Sequence, residues 1–381
     1  MLKSDLRALF PVTRNLIYFN HAAVGPLSVR AYEAMEGHAR DQRDFGAAHW
    51  REWYAEHDRL RASAAKLIGA AANEISILKN TTEGLAFVAE GLRWERGDNV
   101  VTTALEFPSN YVPWKVLEAR GVECRVVEAP EGTFTADDVA AAIDDRTRIV
   151  AVSSVAFHNG FAADLDAIGD LCARRHILFC VDAIQSLGVL PMDVKRSKIS
   201  FLAADGHKWL CGAEGAAIFY AAAEHREKLR VIENGWTNID RKKGTFLLAP
   251  TDLLADARRF EGGSLNTNGI YGLRAAIDLL LEIGIETIEE EVIRLANRLA
   301  EGLESIGFRI GSPRPGRSGI VGAIPPLVDT RELIRLHGEL DRQGIICAPR
   351  EGMLRFSPHF YNDDEEIDRV VAELKRLAMR G

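Results

Sequence analysis

The chain of 381 residues is poor in cysteine, has no basic excess and contains no long apolar run. Its five cysteines, Cys124, Cys172, Cys180, Cys211 and Cys347, are odd in number and scattered, and none forms a CxxC pair. Such a set indicates neither a metal site nor a disulfide framework, and a reducing cytoplasm is its natural setting. Lys and Arg number 47 against 55 Asp and Glu, a net charge of −8. That balance speaks against nucleic acid as a partner, which favours a basic face. With no apolar stretch long enough to span a bilayer, no membrane partner is expected. The opening MLKSDLRALFPVTRN lacks the apolar segment of a secretory leader. Repeats and low-complexity tracts are also missing.

What is present is an alternation. Hydrophobic residues make up 47% of the chain, enough for a large core. From EISIL (74–78) onward, short apolar runs alternate with helical stretches of ten or so residues. NVVTTA (99–104), VECRVVEA (122–129), RIVAVSSV (148–155) and ILFCVDA (177–183) read as strands. TEGLAFVAEGL (82–92), NYVPWKVLEARG (110–121), ADDVAAAI (136–143) and DLDAIGDLCARR (164–175) read as helices, with Gly121 as a C-cap. This is the pattern of βαβ units and a mainly parallel sheet. Residues 28–68 read as helical. The texture changes near 262, where a long helical stretch (270–306) leads to short strands and helices. NDDEE reads as a capping box with Asn362 as N-cap and Glu365 three residues on. The expected architecture is α/β: a large domain over 1–262, with an N-terminal arm to about 28, and a smaller α+β domain over 263–381. HWREWY (49–54) reads as core packing, and DRKKG (240–244) as a solvated loop.

In an open α/β sheet, ligands bind beyond the carboxyl ends of the strands. The polar residues there converge on one crevice. KNTTEG follows one strand, LEFPSN another and FHNGF a third; Asp182 and Gln185 close ILFCV. FLAADGHKWLCGAEGAAIFYA (201–221) sets Lys208 between two apolar runs. A lysine in that position is paired or reactive. Partial burial lowers its amine pKa and makes it the nucleophile of a Schiff base. A strand-end aspartate then pairs with a pyridinium nitrogen, as pyridoxal 5'-phosphate (PLP) requires. Thr81 and Thr82 open a helix, where hydroxyls, free N–H groups and the dipole favour a phosphate. Phe107 is placed to lie flat on a ring. Singly, each residue has a plainer reading: a cap, a turn, a core aromatic, a lysine reaching water. Their joint placement at successive strand ends changes the odds.

VDAIQSLGVLPMDV followed by ADGHKWLCGAEG resembles the PLP signature of the class V aminotransferase family, which has the fold type I architecture. That family includes cysteine desulfurases, kynureninases and isopenicillin N epimerase-like proteins. YFNHAAVGPLS (18–28) resembles its N-terminal active-site loop, which brings Asn20 and His21 to the substrate. NTTEG (80–84) is similar to its phosphate turn, and EFPSN (106–110) to the segment that stacks on the cofactor. RFEGGSLN (259–266) resembles the loop that reaches a partner subunit's site. LRFSPHFYN (354–362) resembles the segment that grips a substrate carboxylate. The resemblance implies that Lys208 carries PLP and shuttles the Cα proton. Asp182 would pair with the pyridine nitrogen and Gln185 with the ring hydroxylate. His207, Thr81 and Thr82 would meet the phosphate beside Asp205. Ser264 would contribute across a homodimer, and Arg355 would hold the α-carboxylate.

Three departures stand out. Asp205 occupies a position that is often Ser or Thr, and an acid there is repelled by a phosphate and pairs instead with a base. Phe107 and Pro108 stand where desulfurases have a catalytic histidine. Phe157 and His158 stand where desulfurases often have asparagine. A desulfurase also needs a nucleophilic cysteine on a mobile loop shortly before the carboxylate arginine. Only Cys347 qualifies by position, and it ends the apolar run GII, so it reads as structural. Transamination needs only Lys208 and one further acid–base group, such as His21, His158 or His359. The expectation is PLP chemistry on an amino-acid-like substrate, with transamination first. Desulfuration, other C–S or C–C cleavage and epimerisation are the alternatives, and a non-catalytic PLP-fold binding protein ranks last.

Overall fold

The computed structural model describes residues 2–240, 247, 251–326 and 329–378. Most of DRKKG lies outside them. The parallel strands were legible as apolar runs because a sheet covered on both faces buries every side chain. After a short β1 (Ile17–Tyr18), the strands β2 (Ile75–Leu78), β3 (Asn99–Thr103), β4 (Glu123–Val127), β5 (Thr147–Ser153), β6 (Leu178–Asp182), β7 (Phe201–Asp205) and β8 (Ala217–Ala221) build one sheet. It has seven strands in the order β2-β8-β7-β6-β5-β3-β4. Only β8 runs against its neighbours β2 and β7. All the other carboxyl ends therefore point to one edge.

Beyond this sheet come β9 (Arg309–Ile310), β10 (Val321–Ile324), β11 (Ile345–Ile346), β12 (Ala348–Arg350) and β13 (Met353–Phe356). Four of them form an antiparallel sheet in the order β12-β13-β10-β9, and β11 pairs with β1. The mainly parallel α/β domain and the smaller α+β unit are both present.

Several details differ from the pattern read in the sequence. The 270–306 stretch is two helices, Thr267–Ile283 and Ile285–Ser305, broken at Gly284 with φ +93°. The first packs its Ile270, Leu273 and Ile277 into the large-sheet core. A separate core joins Leu295, Leu299 and Leu303 to Leu354 and Phe356, and Ile17 and Phe19 from the N-terminal arm belong to it. The two apolar cores thus part inside helix Ile285–Ser305, later than residue 262. The last helix is capped one residue later than expected. Asp363 accepts the Glu366 N–H and Glu366 accepts the Asp363 N–H, each at 3.0 Å. HWREWY is not core: Trp50 is 48% and Tyr54 40% exposed in the single chain. Helix Trp50–Ile68 buries its other face, through Leu60, Ala64 and Ile68.

Candidate functional site

A cleft of about 270 Å³ opens at the carboxyl edge of the large sheet. Lys208 lies on the connection from β7 to β8, and the protein holds that connection from three sides. The Gly25 N–H donates to the His207 carbonyl at 2.7 Å. Gly25 is required there, because a Cβ would stand 2.0 Å from the Lys208 carbonyl oxygen. His359 Nε2 lies 3.0 Å from the Trp209 carbonyl. Trp209 Nε1 donates to Gln185 Oε1 at 2.8 Å. An amine on so fixed a backbone is aimed rather than free to swing.

Burial lowers the Lys208 amine from 10.5 to about 8, against the pull of Asp182 and with a further push from Arg355. Its Nζ lies 5.5 Å from the centre of the Phe107 ring. Asp182 ends β6 in the cleft wall, and burial raises its carboxyl to about 6. One of its oxygens accepts the Ile184 N–H at 3.0 Å. Gln185 Nε2 donates to the Ala22 carbonyl at 3.0 Å, which leaves a second N–H on the amide.

The opposite end is shaped for an anion. Helix Thr81–Gly91 starts here, with Asn80 as N-cap accepting the Glu83 N–H. The N–H groups of the first helical residues have no intrahelical partner. Thr82 donates to Ser109 at 2.8 Å, and both line the cleft. Thr81 Oγ1 accepts the Asp205 N–H at 2.9 Å. Asp205 Oδ1 and His207 Nδ1 are 3.1 Å apart but misaligned for a hydrogen bond. The Asp205 carboxylate thus faces a base.

Arg355 stands on the far wall, on β13. It is 2% exposed, and its Nη1 donates to the Phe157 carbonyl at 2.7 Å. Its Nε and Nη2 have no partner. Burial and the charge of Arg350 lower its guanidinium to about 10. A buried cation with two idle donors fits a carboxylate held bidentately.

The cleft thus combines Lys208, Thr81, Thr82, Phe107, Asp182, Gln185, Asp205, His207 and Arg355. It does not include Asn20, His21 or Ser264, nor the further acid–base candidates His158 and His359. His21 is fully buried behind the wall, with Nδ1 2.8 Å from the Ser357 carbonyl and Nε2 2.6 Å from the Tyr361 hydroxyl. Asn20 bridges to Ser357 on the same segment. Ser264 lines a separate cavity with Tyr54, His57 and Arg61. His359, like His21, is fully buried with both ring nitrogens engaged.

Two residues of the site went unread in the sequence. Glu106, just before Phe107, is partly buried, and its carboxyl rises to about 7 because burial outweighs its hydrogen bonds. It accepts from Thr103, Asn110 and the Ser153 N–H and hydroxyl at 2.6–2.9 Å, tying the Phe107 turn to the end of β5. A charged residue at a strand end was the available signal. Arg350 lines the cleft mouth. Its stretch reads in the sequence only as a short connection.

The class V aminotransferase model matches residues 28–370. The chain belongs to the class V aminotransferase family. The family is PLP-dependent, and the fold expected from the sequence is the one found. A probable cysteine desulfurase of Methanothermobacter thermautotrophicus is 30% identical, over 100% of this chain and 99% of its own. Apo cysteine desulfurase from Thermococcus onnurineus NA1 is 27% identical with a TM-score of 0.91, covering 100% of this chain and 99% of its own. The cystine C–S lyase C-DES, solved with its reaction product cysteine persulfide, is 27% identical with a TM-score of 0.88, over 97% and 99%. These relatives favour the C–S cleaving alternative over transamination.

The residues present fit PLP. An amine of lowered pKa, a buried carboxylate and a helix start with hydroxyls surround one space. Phe107 keeps its ring 40% exposed there, an apolar face for a flat ring to cover. Among the described residues no cluster suits a metal ion, and no helix is long and apolar enough to cross a membrane.

Proposed function

We propose that the protein is a PLP-dependent C–S lyase that cleaves S-substituted cysteines by β-elimination, without a protein thiol in the reaction. The observation that carries this reading is the state of Cys347. Its side chain is 4% exposed, and burial raises its thiol to about 12. It lies between β11 and β12, whose strands pair on either side of it. A desulfurase cysteine must be exposed, mobile and ionised. The four other cysteines are buried as well. Relatives that break C–S bonds and a cleft without an available thiol together support elimination.

When bound, PLP supplies an electron sink for the charge left at Cα. The chain supplies the rest. Lys208 Nζ would carry PLP and move the Cα proton, and at about 8 its pKa suits proton transfer near neutrality. Asp182 would keep the pyridine nitrogen protonated. Gln185 would donate to the ring oxygen. Thr81, Thr82 and His207 would bind the phosphate. Arg355 would hold the α-carboxylate and so fix which Cα bond stands perpendicular to the ring. His21 and His359 are engaged elsewhere and His158 does not line the cleft, so Lys208 would also protonate the departing sulfur. The balance is R–S–CH2–CH(NH2)–COOH + H2O → R–SH + pyruvate + NH3, with no oxidant or reductant.

A homodimer is part of this reading. Ser264 lies away from the cleft of its own chain. Tyr32, Phe45, Trp50 and Tyr54 leave apolar surface open, which fits a face covered by a second copy.

Product analysis tests the function. Elimination yields equal thiol, pyruvate and ammonia with no added keto acid. Transamination would depend on a keto-acid acceptor and release no ammonia.

A further inference from the structure

Arg350 is a cation that the chemistry above leaves unused. It lies on β12, antiparallel to β13, with Ala348 opposite Arg355 and Arg350 opposite Met353. Residues directly opposite share a face of the sheet, as do residues two apart on one strand. Arg350 and Arg355 therefore project from one face as diagonal neighbours, with the small Ala348 between them. Arg355 is the inner, buried cation and Arg350 the outer, exposed one, at the cleft mouth.

Among the described residues, no carboxylate lies within ion-pair distance of Arg350, whose Nη1 donates only to the Pro349 carbonyl at 2.9 Å. Most arginines of this chain are paired: Arg7, Arg61, Arg274 and Arg294 each hold an acid. The carboxylates in the cleft wall, Asp182 and Asp205, are committed to the inner end. The charge of Arg350 also bears unfavourably on both Lys208 and Arg355. Such repulsion is relieved when an anion enters between them.

We propose that Arg350 receives a second anionic group on the substrate's side chain, so that the cleft selects amino acids with an acidic distal end. The sulfur in that side chain rests on the C–S lyase reading; the distal anion does not. The substrate class is then S-substituted cysteines ending in a carboxylate or sulfonate. The α-carboxylate sits on Arg355, and the distal anion sits on Arg350. Arginine suits the task because its planar fork matches a carboxylate and is always charged.

The test uses the holoenzyme and two pairs of ligands, each an acid with its neutral amide. 2-Aminoadipate and its side-chain amide have no sulfur and report binding alone, by calorimetry. S-Carboxymethylcysteine and its amide report turnover. Wild type should bind aminoadipate about tenfold or more tighter than the amide, as one charge-assisted contact allows. In Arg350→Gln that ratio should fall toward one, and Arg350→Lys should restore part of it. Arg350→Glu should invert the preference toward S-aminoethylcysteine. Equal binding of acid and amide by wild type, or an acid preference unchanged in Arg350→Gln, overturns the proposal. Arg350-dependent binding of aminoadipate with no cleavage of any S-substituted cysteine upholds the proposal and sinks the lyase reading instead.

Discussion

Arg355 spends one donor on the Phe157 carbonyl, at 2.7 Å, and leaves Nε and Nη2 buried without partners. The single bond orients the guanidinium, and the idle pair waits for a carboxylate. Removing a charge-assisted contact of this kind costs about 1.5–3 kcal/mol, roughly ten- to over a hundredfold in affinity. Arg355→Ala should weaken carboxylate-bearing substrates by that factor while the amino-acid amide loses little. Arg355→Lys should recover only part, because an ammonium lacks the fork. A variant that binds acid and amide as wild type does would remove Arg355 from the substrate.

Lys208 should be the residue fixed to PLP by borohydride, with loss of the visible band. In the apoprotein its amine should react with acylating reagents with a midpoint near pH 8. Asp182 pulls that pKa upward, so Asp182→Asn should move the midpoint lower. The same variant should lose most turnover while keeping the cofactor. Peptide mapping that places the label on another lysine would end the assignment.

Glu106 predicts a pH effect on stability. Its carboxyl is raised from the ordinary 4.5 to about 7 by burial. The folded state therefore favours the protonated form. The contribution is fully present below about pH 4.5 and is lost as the pH rises through 7, an effect of about 3 kcal/mol. Glu106→Gln should flatten this slope in denaturant titrations at pH 5 and pH 8. Identical slopes for both proteins would show that Glu106 stays ionised throughout.

Sedimentation should find a dimer, and charges placed at Trp50 and Tyr54 should break it. If Ser264 serves the neighbouring cleft, those variants should also bind PLP more weakly. A monomer with full activity would contradict this arrangement.

The sequence revealed the fold class and the cofactor better than the boundaries. Parallel strands read clearly because both faces are buried, and the residues at their carboxyl ends are the ones that meet in the cleft. The N-terminal arm misled. His21 looked like a substrate ligand, yet its two nitrogens are tied to Ser357 and Tyr361, contacts some 340 residues away that no local pattern reveals. Gly284 hid a break because the helical period resumes directly after it. Arg350 shows the same limit: only the pairing of β12 with β13 sets it beside Arg355.

Cys347 decides between elimination and desulfuration, and its conservative replacement is the most direct test. Cys347→Ser and wild type should be compared on cysteine, on cystine and on S-substituted cysteines, with thiol or persulfide, pyruvate and ammonia measured together. The account predicts that the variant keeps most of its activity and the same equal yields of products. Sulfur release from cysteine only when Cys347 is intact, with a persulfide trapped on that residue, would contradict it.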